Sequence, residues 1–563
     1  MENSLQEVSM QSDHPTANVD LPNTQLPKWG VDELPEPTPL SWRNWKSFVG
    51  PGIVMCGIAI AGGEWLVGPD ITARYGGTLM WIATFAIIGQ LFYNIECGRY
   101  ALYTGEPVMT GFMRNWPGPM GWICLIFILS FGAFIPAMST NAASVIVAIR
   151  LDRPPTAEDA NQVKLIAYIL LGVVTLPILI GGKVYNMLQL IFTTKVVVVL
   201  GFCLIVGILF VSPANWFNVF SGFLKVGNVP VNVPITDANG QELVDDNGEP
   251  LTEEKVVNIF SHFASTGTWP AIALGNIALL GAFAGYAGGG GLSNSSYSNY
   301  VRDKGWGMGA KVGAIPSLVG GRKITLSHIG KVFPLTPENL TRWRGWWKYI
   351  LTDQIFVWMP GCFLGMALPG LLSIQFAEHS TLYQNATDLD WAQAMITADG
   401  IRNGLESPML SQSFWILTLI VGLFVLLPSQ LAIVEDFARR WTDIFWSGSR
   451  HMREKFADHQ IKSVYYCFLF VYIVWTYACA WAFNTWGSPK LMFLVIANFN
   501  NLALGLTAFV VLANNLRFLP KELRPGWGAR LGMSFCGIFY LGLALLVFVE
   551  KQLPEIQNFF FGQ

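Results

Sequence analysis

The sequence predicts an all-α integral membrane protein with about eleven transmembrane helices. Three observations carry that prediction. Of 563 residues, 52% are apolar and only 13% are charged, with a mean hydropathy of +0.42; soluble chains carry roughly 25% charged residues. Apolar runs of about 20 residues, the length that crosses a bilayer, recur along the whole chain. Two of these runs are interrupted by glycine, which invites the backbone to leave the helix in the one solvent where freed N–H and C=O groups need a polar cavity.

The runs lie near 48–75, 78–102, 120–150, 163–181, 184–211, 270–300, 344–373, 411–436, 462–484, 489–514 and 528–549, numbered here spans 1 to 11. The first ~42 residues are polar and proline-rich and lack an apolar signal core, so residues 1–42 are expected to be a disordered tail. Residues 212–269 form an acidic connection with Asp237, Glu242, Asp245, Asp246, Glu249, Glu253 and Glu254. Residues 374–409 are acidic too. Basic residues gather between spans 6 and 7 (Lys304, Lys311, Arg322, Lys323, Lys331, Arg342, Arg344), between spans 8 and 9 (Arg439, Arg440, Arg450, Arg453, Lys455, Lys462) and after span 10. By the positive-inside rule the basic ends face the cytoplasm. The N-terminus is then inside, an odd span count puts the C-terminus outside, and a bacterial-type inner membrane is the expected location. Residues 301–343 are long for a turn and rich in tryptophan, which fits an interfacial helix as well as an ordinary loop.

The interrupted runs are the candidate site. In span 1, Gly50-Pro51-Gly52 opens an apolar stretch that reaches Ala61-Gly62-Gly63-Glu64. In span 6, Ala287 is followed by Gly288, Gly289, Gly290 and Gly291, then Leu292-Ser293-Asn294. Paired interrupted spans in the two halves of a chain point to a transporter's binding site. A helix that restarts after such a break aims free N–H groups and a positive dipole end at the cavity. Ser293 and Asn294 either add donors for an anion or simply cap the restarting helix. Glu64, in the first turn after its break, is suited to holding a coupling cation, to being protonated, or to a structural role. Lys195 lies in mid-span, where a lysine is costly and marks function by default. It can attract an anion, pair with Glu64 or carry a coupling proton, or else snorkel to the membrane edge. Ser429 in span 8 is a candidate sodium ligand. Asp70 with Arg74 and Glu96 with Arg99 have the spacing of structural pairs.

Other chemistry is not supported. The eight cysteines form no CxxC pair and mostly sit in apolar runs, so they read as small core residues rather than a disulfide frame or metal site. There is no nucleophile–base pair or zinc spacing, and no Lys-Ser or Lys-Thr follows the glycine run as in a phosphate loop. An enzyme, a cofactor and ATP-driven work are therefore not expected. A net charge of −2 gives no footing for nucleic acid.

The opening of span 1, with Gly50-Pro51-Gly52 and a broken tetrad, resembles the NRAMP family of divalent-metal transporters. Arg99 with Thr104-Gly105, Gln430 followed by Glu435-Asp436-Phe437, and the Leu512-to-Arg517 exit of span 10 resemble the family in order and spacing. The resemblance implies a LeuT-type fold: two inverted five-helix repeats, residues 43–211 and 270–514, plus one extra span with its tail in 515–563. It also implies that Asn500 and Asn501 stand near a family glutamine beside the metal, and that a fifth-span lysine can replace sodium, as in some proton-coupled members of the wider superfamily. The family's metal site does not carry over. Its Asp-Pro-Gly-Asn is here Ala61, Gly62, Gly63 and Glu64, its span-6 methionine falls on Ala287, and Phe131 to Asn141 holds no carboxylate. No metal site is expected, and the soft ligand that favours late transition metals is missing. The sequence thus leads to a secondary transporter of a small inorganic ion by alternating access. The first expectation for its cargo is an anion such as bicarbonate with co-transported H⁺ or Na⁺. The alternatives are a hard, Mg-like divalent cation, or a non-transporting sensor built on a transporter scaffold. Oligomeric state is left open.

Overall fold

The computed structural model describes residues 26–134, 137–180, 182–235, 243, 251–319, 324–384, 392–483 and 489–554. Among these, nine helices are long and apolar enough to cross a membrane: Pro51–Leu79, Phe131–Leu151, Ala157–Leu179, Val184–Phe210, Pro337–His379, Pro408–Gly448, Asp458–Trp481, Leu494–Phe518 and Trp527–Gln552. They correspond to nine of the eleven expected spans. Span 2 is also helical, Trp81–Thr104, but carries Gln90, Asn94, Glu96 and Arg99. Span 6 is two short helices, Ile277–Tyr286 and Tyr297–Lys304. The protein is an all-α membrane protein.

Local chemistry explains where helices start and stop. Pro51, Pro337 and Pro408 sit in first turns, where the missing N–H costs nothing. The Thr336 hydroxyl accepts from the Asn339 N–H. Gly105 closes span 2 in the left-handed region at φ 64°.

Both predicted breaks are present, and they face each other. Span 1 runs as a helix over Pro51–Ala59, leaves helical geometry at Ile60 (ψ 81°), and resumes as a wide π turn, Gly63–Val67, before Gly68–Tyr75. Span 6 leaves its first helix at Ala287 (ψ 100°), passes through Gly288, Gly289, Gly290 and Gly291 at φ 99°, 115°, 73° and 65°, and tightens into a 3₁₀ turn, Gly291–Ser296. Four successive positive φ values explain the four glycines, since only glycine takes them without strain. The approach is close: a Cβ on Gly63 would lie 2.5 Å from the Tyr286 Cβ.

The structure corrects several expectations. Span 3 is not one rod over 120–150. It is a helix Pro119–Leu129, a 3₁₀ turn Phe131–Phe134, and a helix Ala137–Leu151. The disorder expected over residues 1–42 is not found in its described part, from residue 26 on. Residues 1–25 lie outside the described residues, but beyond them Leu26, Trp29 and Leu34 are buried and Gly30–Val31 pairs in parallel with Lys331–Val332. The apolar residues dotted through the proline-rich stretch supply that contact. Residues 301–343 contain both irregular chain and helix: the end of Tyr297–Lys304, a short helix Gly309–Val312, and the start of the tryptophan-bearing helix Pro337–Asp353. The tryptophans act as anchors: Trp306 Nε1 donates to the Ser47 carbonyl (3.1 Å), and Trp346 Nε1, in the helix Pro337–Asp353, donates to the Pro35 carbonyl (2.7 Å). The acidic 212–269 connection is also structured where described, with antiparallel strands Asn228–Pro234 and Thr252–Asn258 between the helices Pro213–Gly222 and Ile259–Thr266. Asp237, Glu242, Asp245, Asp246 and Glu249 lie outside the described residues.

Candidate functional site

Span 1 contributes Glu64, which is fully buried. The backbone leaves the helix at Ile60 and restarts at once, so the N–H groups of the new first turn lack helical partners. Glu64 Oε2 reaches back three residues and accepts the Ala61 N–H at 3.0 Å, one half of a capping box. Its other oxygen, Oε1, is buried with no hydrogen-bond partner among the described residues. Such an atom costs about 1–3 kcal/mol until a proton, cation or water meets it.

Lys195, on the helix Val184–Phe210, is completely buried, which rules out snorkelling. Its Nζ donates to Ser429 Oγ on span 8 at 2.7 Å, and Ser429 passes its own proton to the Val425 carbonyl at 2.7 Å. The Lys195 ammonium and the Glu64 carboxylate act on each other electrostatically, with Cys56 beside both, but they form no direct ion pair.

The span-6 break is held from the side by Gln90, which sequence reading passed over. Gln90 Oε1 accepts from the Gly290 N–H (3.2 Å) and Asn294 Nδ2 (3.0 Å), and its Nε2 donates to the Ala287 carbonyl (2.7 Å) and the Tyr540 hydroxyl (2.5 Å). Asn294 Nδ2 also donates to Asn94 Oδ1 at 3.0 Å, while Asn294 Oδ1 is buried and unpartnered. A glutamine and an asparagine four residues apart inside an apolar span were the available signal.

A cavity of about 70 Å³ lies between the breaks and runs toward the end of the bundle that carries the basic connections. That is room for a small ion with a few waters. Ala61, Tyr286, Gly289, Ser293, Ser429 and Asn500 line it. Ser130, Asp436 and Arg440 also line it. Asp436 accepts hydrogen bonds from Ser293 (3.2 Å), from Ser296 and from the Arg440 guanidinium, which also donates to Ser130 at 3.2 Å. Ser130 belongs to the break in span 3, so three interrupted helices meet around one space.

Of the residues singled out from sequence, Gly289, Ser293 and Ser429 line the cavity. Gly62, Gly63, Glu64, Ala287, Gly288, Gly290, Gly291, Asn294 and Lys195 are not among its lining residues. Asn501 donates to the Gly281 carbonyl at 2.9 Å and so joins span 10 to span 6, leaving Asn500 as the cavity-lining neighbour. Asp70 pairs with Arg74 (2.7 Å) and Glu96 with Arg99 (2.9 Å), both away from the cavity. Among the described residues no group of three or more His, Cys, Asp or Glu side chains could hold a metal ion.

No family model matches the chain, and no curated protein matches it. Solved structures do match in fold. A histidine-to-alanine mutant of the Eremococcus coleocola manganese transporter aligns over 94% of this chain and 91% of its own, with TM-score 0.56 and 13% identity. The same transporter in complex with an aromatic bis-isothiourea substituted compound aligns over 95% and 92%, with TM-score 0.57 and 12% identity. A glutamate-to-glutamine mutant aligns over 95% and 91%, with TM-score 0.58 and 13% identity. The resemblance to NRAMP-type transporters seen in the sequence therefore holds for the fold.

Proposed function

We propose that this protein is a secondary active transporter of a small inorganic ion, working by alternating access around the facing breaks of spans 1 and 6. One observation carries the reading: two discontinuous helices meet at a small polar cavity in a bundle whose fold matches manganese transporter structures. The cavity offers hydroxyl and amide groups and a buried ammonium at the Ser429 wall rather than a cluster of carboxylates. That donor set favours an anion, and bicarbonate is the candidate. Uptake of one negative charge into an inside-negative cell costs about 2.3 kcal/mol per 100 mV, so a cation must accompany it. Glu64 and the Lys195–Ser429 pair are the groups assigned to that coupling, with H⁺ or Na⁺ as the ion.

A second reading, a hard Mg-like divalent cation, is favoured by one specific feature. Glu64 Oε1 and Asn294 Oδ1 are buried acceptors without donors, and oxygen acceptors are what such ions bind. Purified protein in liposomes separates the readings. Under an imposed proton or sodium gradient, labelled bicarbonate is expected to accumulate and Mg²⁺ or Mn²⁺ not to compete. Accumulation of the divalent ion instead reverses the assignment, and no flux of either refutes transport of these ions.

A further inference from the structure

A crevice on the outer surface of the bundle carries a second site. Three elements form it: the first half of span 3, the end of span 8 and the middle of span 9. Its upper part has a volume of about 620 Å³ and an almost wholly apolar lining that includes Phe127, Trp441, Phe468 and Trp475. At Ile123 and Phe445 it joins a second hollow of about 610 Å³ whose far wall is Arg450, His451 and Arg453. The apolar face of span 8 alone runs from Phe437 to Phe445, eight residues or about 12 Å along a helix, close to one leaflet of hydrocarbon. The slot is thus greasy for one leaflet's depth and turns cationic where the helices leave the membrane.

We infer that this crevice binds one anionic phospholipid, with an acyl chain along Phe127, Trp441 and Trp475 and the phosphate at Arg450 and His451. The charge pattern decides the occupant. Basic pockets at the ends of membrane helices hold anionic headgroups, and the adjoining wall suits a hydrocarbon tail. Arg450 is the accessible cation: its side chain is 85% exposed and pairs with Glu454, itself exposed, at 2.7 Å. Arg453 is tied to the Ser447 carbonyl and keeps the end of span 8 in place. The site does not depend on what the transport cavity carries. It does touch the same wall. Phe127 stacks edge-on against Trp441 (6.2 Å), and two residues beyond it Leu129 and Ser130 line the ion cavity. The Tyr472 hydroxyl, on the crevice side, donates to the Ala133 carbonyl of the span-3 break. A lipid in the crevice therefore bears on the segment that walls the cavity.

Native mass spectrometry of the full chain, released from micelles containing equal phosphatidylglycerol and phosphatidylcholine, tests the proposal. One phosphatidylglycerol is expected to be retained in preference. The double variant Arg450→Gln/His451→Gln, which leaves Arg453 in place, is expected to reduce that preference about fivefold, for the one arginine charge removed. Ile123→Trp, at the junction, is expected to lower retention of either lipid. Alkylation of the exposed Cys124, quantified by peptide mass spectrometry, is expected to slow when phosphatidylglycerol is added and not with phosphatidylcholine. Equal retention of the two lipids by the natural protein, or an unchanged preference in the double variant, overturns the assignment.

Discussion

The Nζ of Lys195 donates to the hydroxyl of Ser429 at 2.7 Å, joining span 5 to span 8. Hydrogen bonds to charged groups are worth about 1.5–3 kcal/mol, so this one contact ties the two helices with an energy comparable to a conformational bias. We predict that Ser429→Ala destabilises the fold by about that amount, read as a lower thermal midpoint. Lys195→Met removes the charge together with its need for a partner, and is expected to retain folding but lose gradient-driven uptake. A Lys195→Met protein that still concentrates its substrate would reduce Lys195 to a strut.

Glu64→Gln separates capping from coupling. The amide oxygen still accepts the Ala61 N–H, so the helix restart is kept. Expected outcome: normal thermal stability, substrate exchange across the membrane, and no accumulation driven by an ion gradient. Full accumulation in this variant would exclude Glu64 from coupling.

Gly290 and Gly201 make a matched pair. A Cβ at Gly290 would fall 1.7 Å from the Gly285 carbonyl oxygen, at φ 73°, whereas one at Gly201 meets nothing within 4 Å. Gly201 sits within the helix Val184–Phe210, where alanine gains up to about 1 kcal/mol over glycine. Gly290→Ala is predicted to fold poorly or lose uptake entirely. Gly201→Ala is predicted to be neutral or slightly stabilised, by thermal unfolding in detergent. Tolerance of Gly290→Ala would mean that the break does not have the geometry described.

The amino-terminal strap carries its own pH dependence. Partial burial pushes the Asp32 carboxyl up, but this is outweighed by Lys311, Lys331 and the Glu33 N–H, so its pKa lies below the ordinary carboxylate value. A lowered folded-state pKa gives stability that is present above the unfolded value of about 3.9 and lost as pH falls through the folded one. Hydrogen exchange at residues 30–32, corrected for intrinsic rate, is expected to be flat from neutral pH down to about 5 and to accelerate below about 4. Asp32→Asn is expected to remove that step, and a step that persists would assign it to another group.

The sequence announced the breaks because glycine runs at positive φ have no substitute, and it announced Lys195 because a mid-span ammonium is conspicuous in an apolar helix. It did not announce Gln90, Asp436 or Arg440. A polar side chain on a long helix gives no sign of which other helix it will meet: Gly290 lies some two hundred residues from Gln90, and Ser293 and Ser130, which meet Asp436 and Arg440, lie on spans 6 and 3. The Phe131–Phe134 turn was hidden for a different reason. An apolar run reads as continuous whether or not its backbone stays helical, and hydropathy is blind to that change. The strap of residues 26–34 was masked by composition, since three apolar side chains in a polar, proline-rich stretch leave its average unchanged.

Gln90 holds the carbonyl and amide of the span-6 break while its other proton goes to Tyr540, near the middle of the last helix. The unwound peptide is therefore not free to travel alone. Whatever displaces it must drag the second and eleventh helices along, or first unfasten an amide from four partners. The helix Trp527–Val547 is thus fastened to the span-6 break through Gln90.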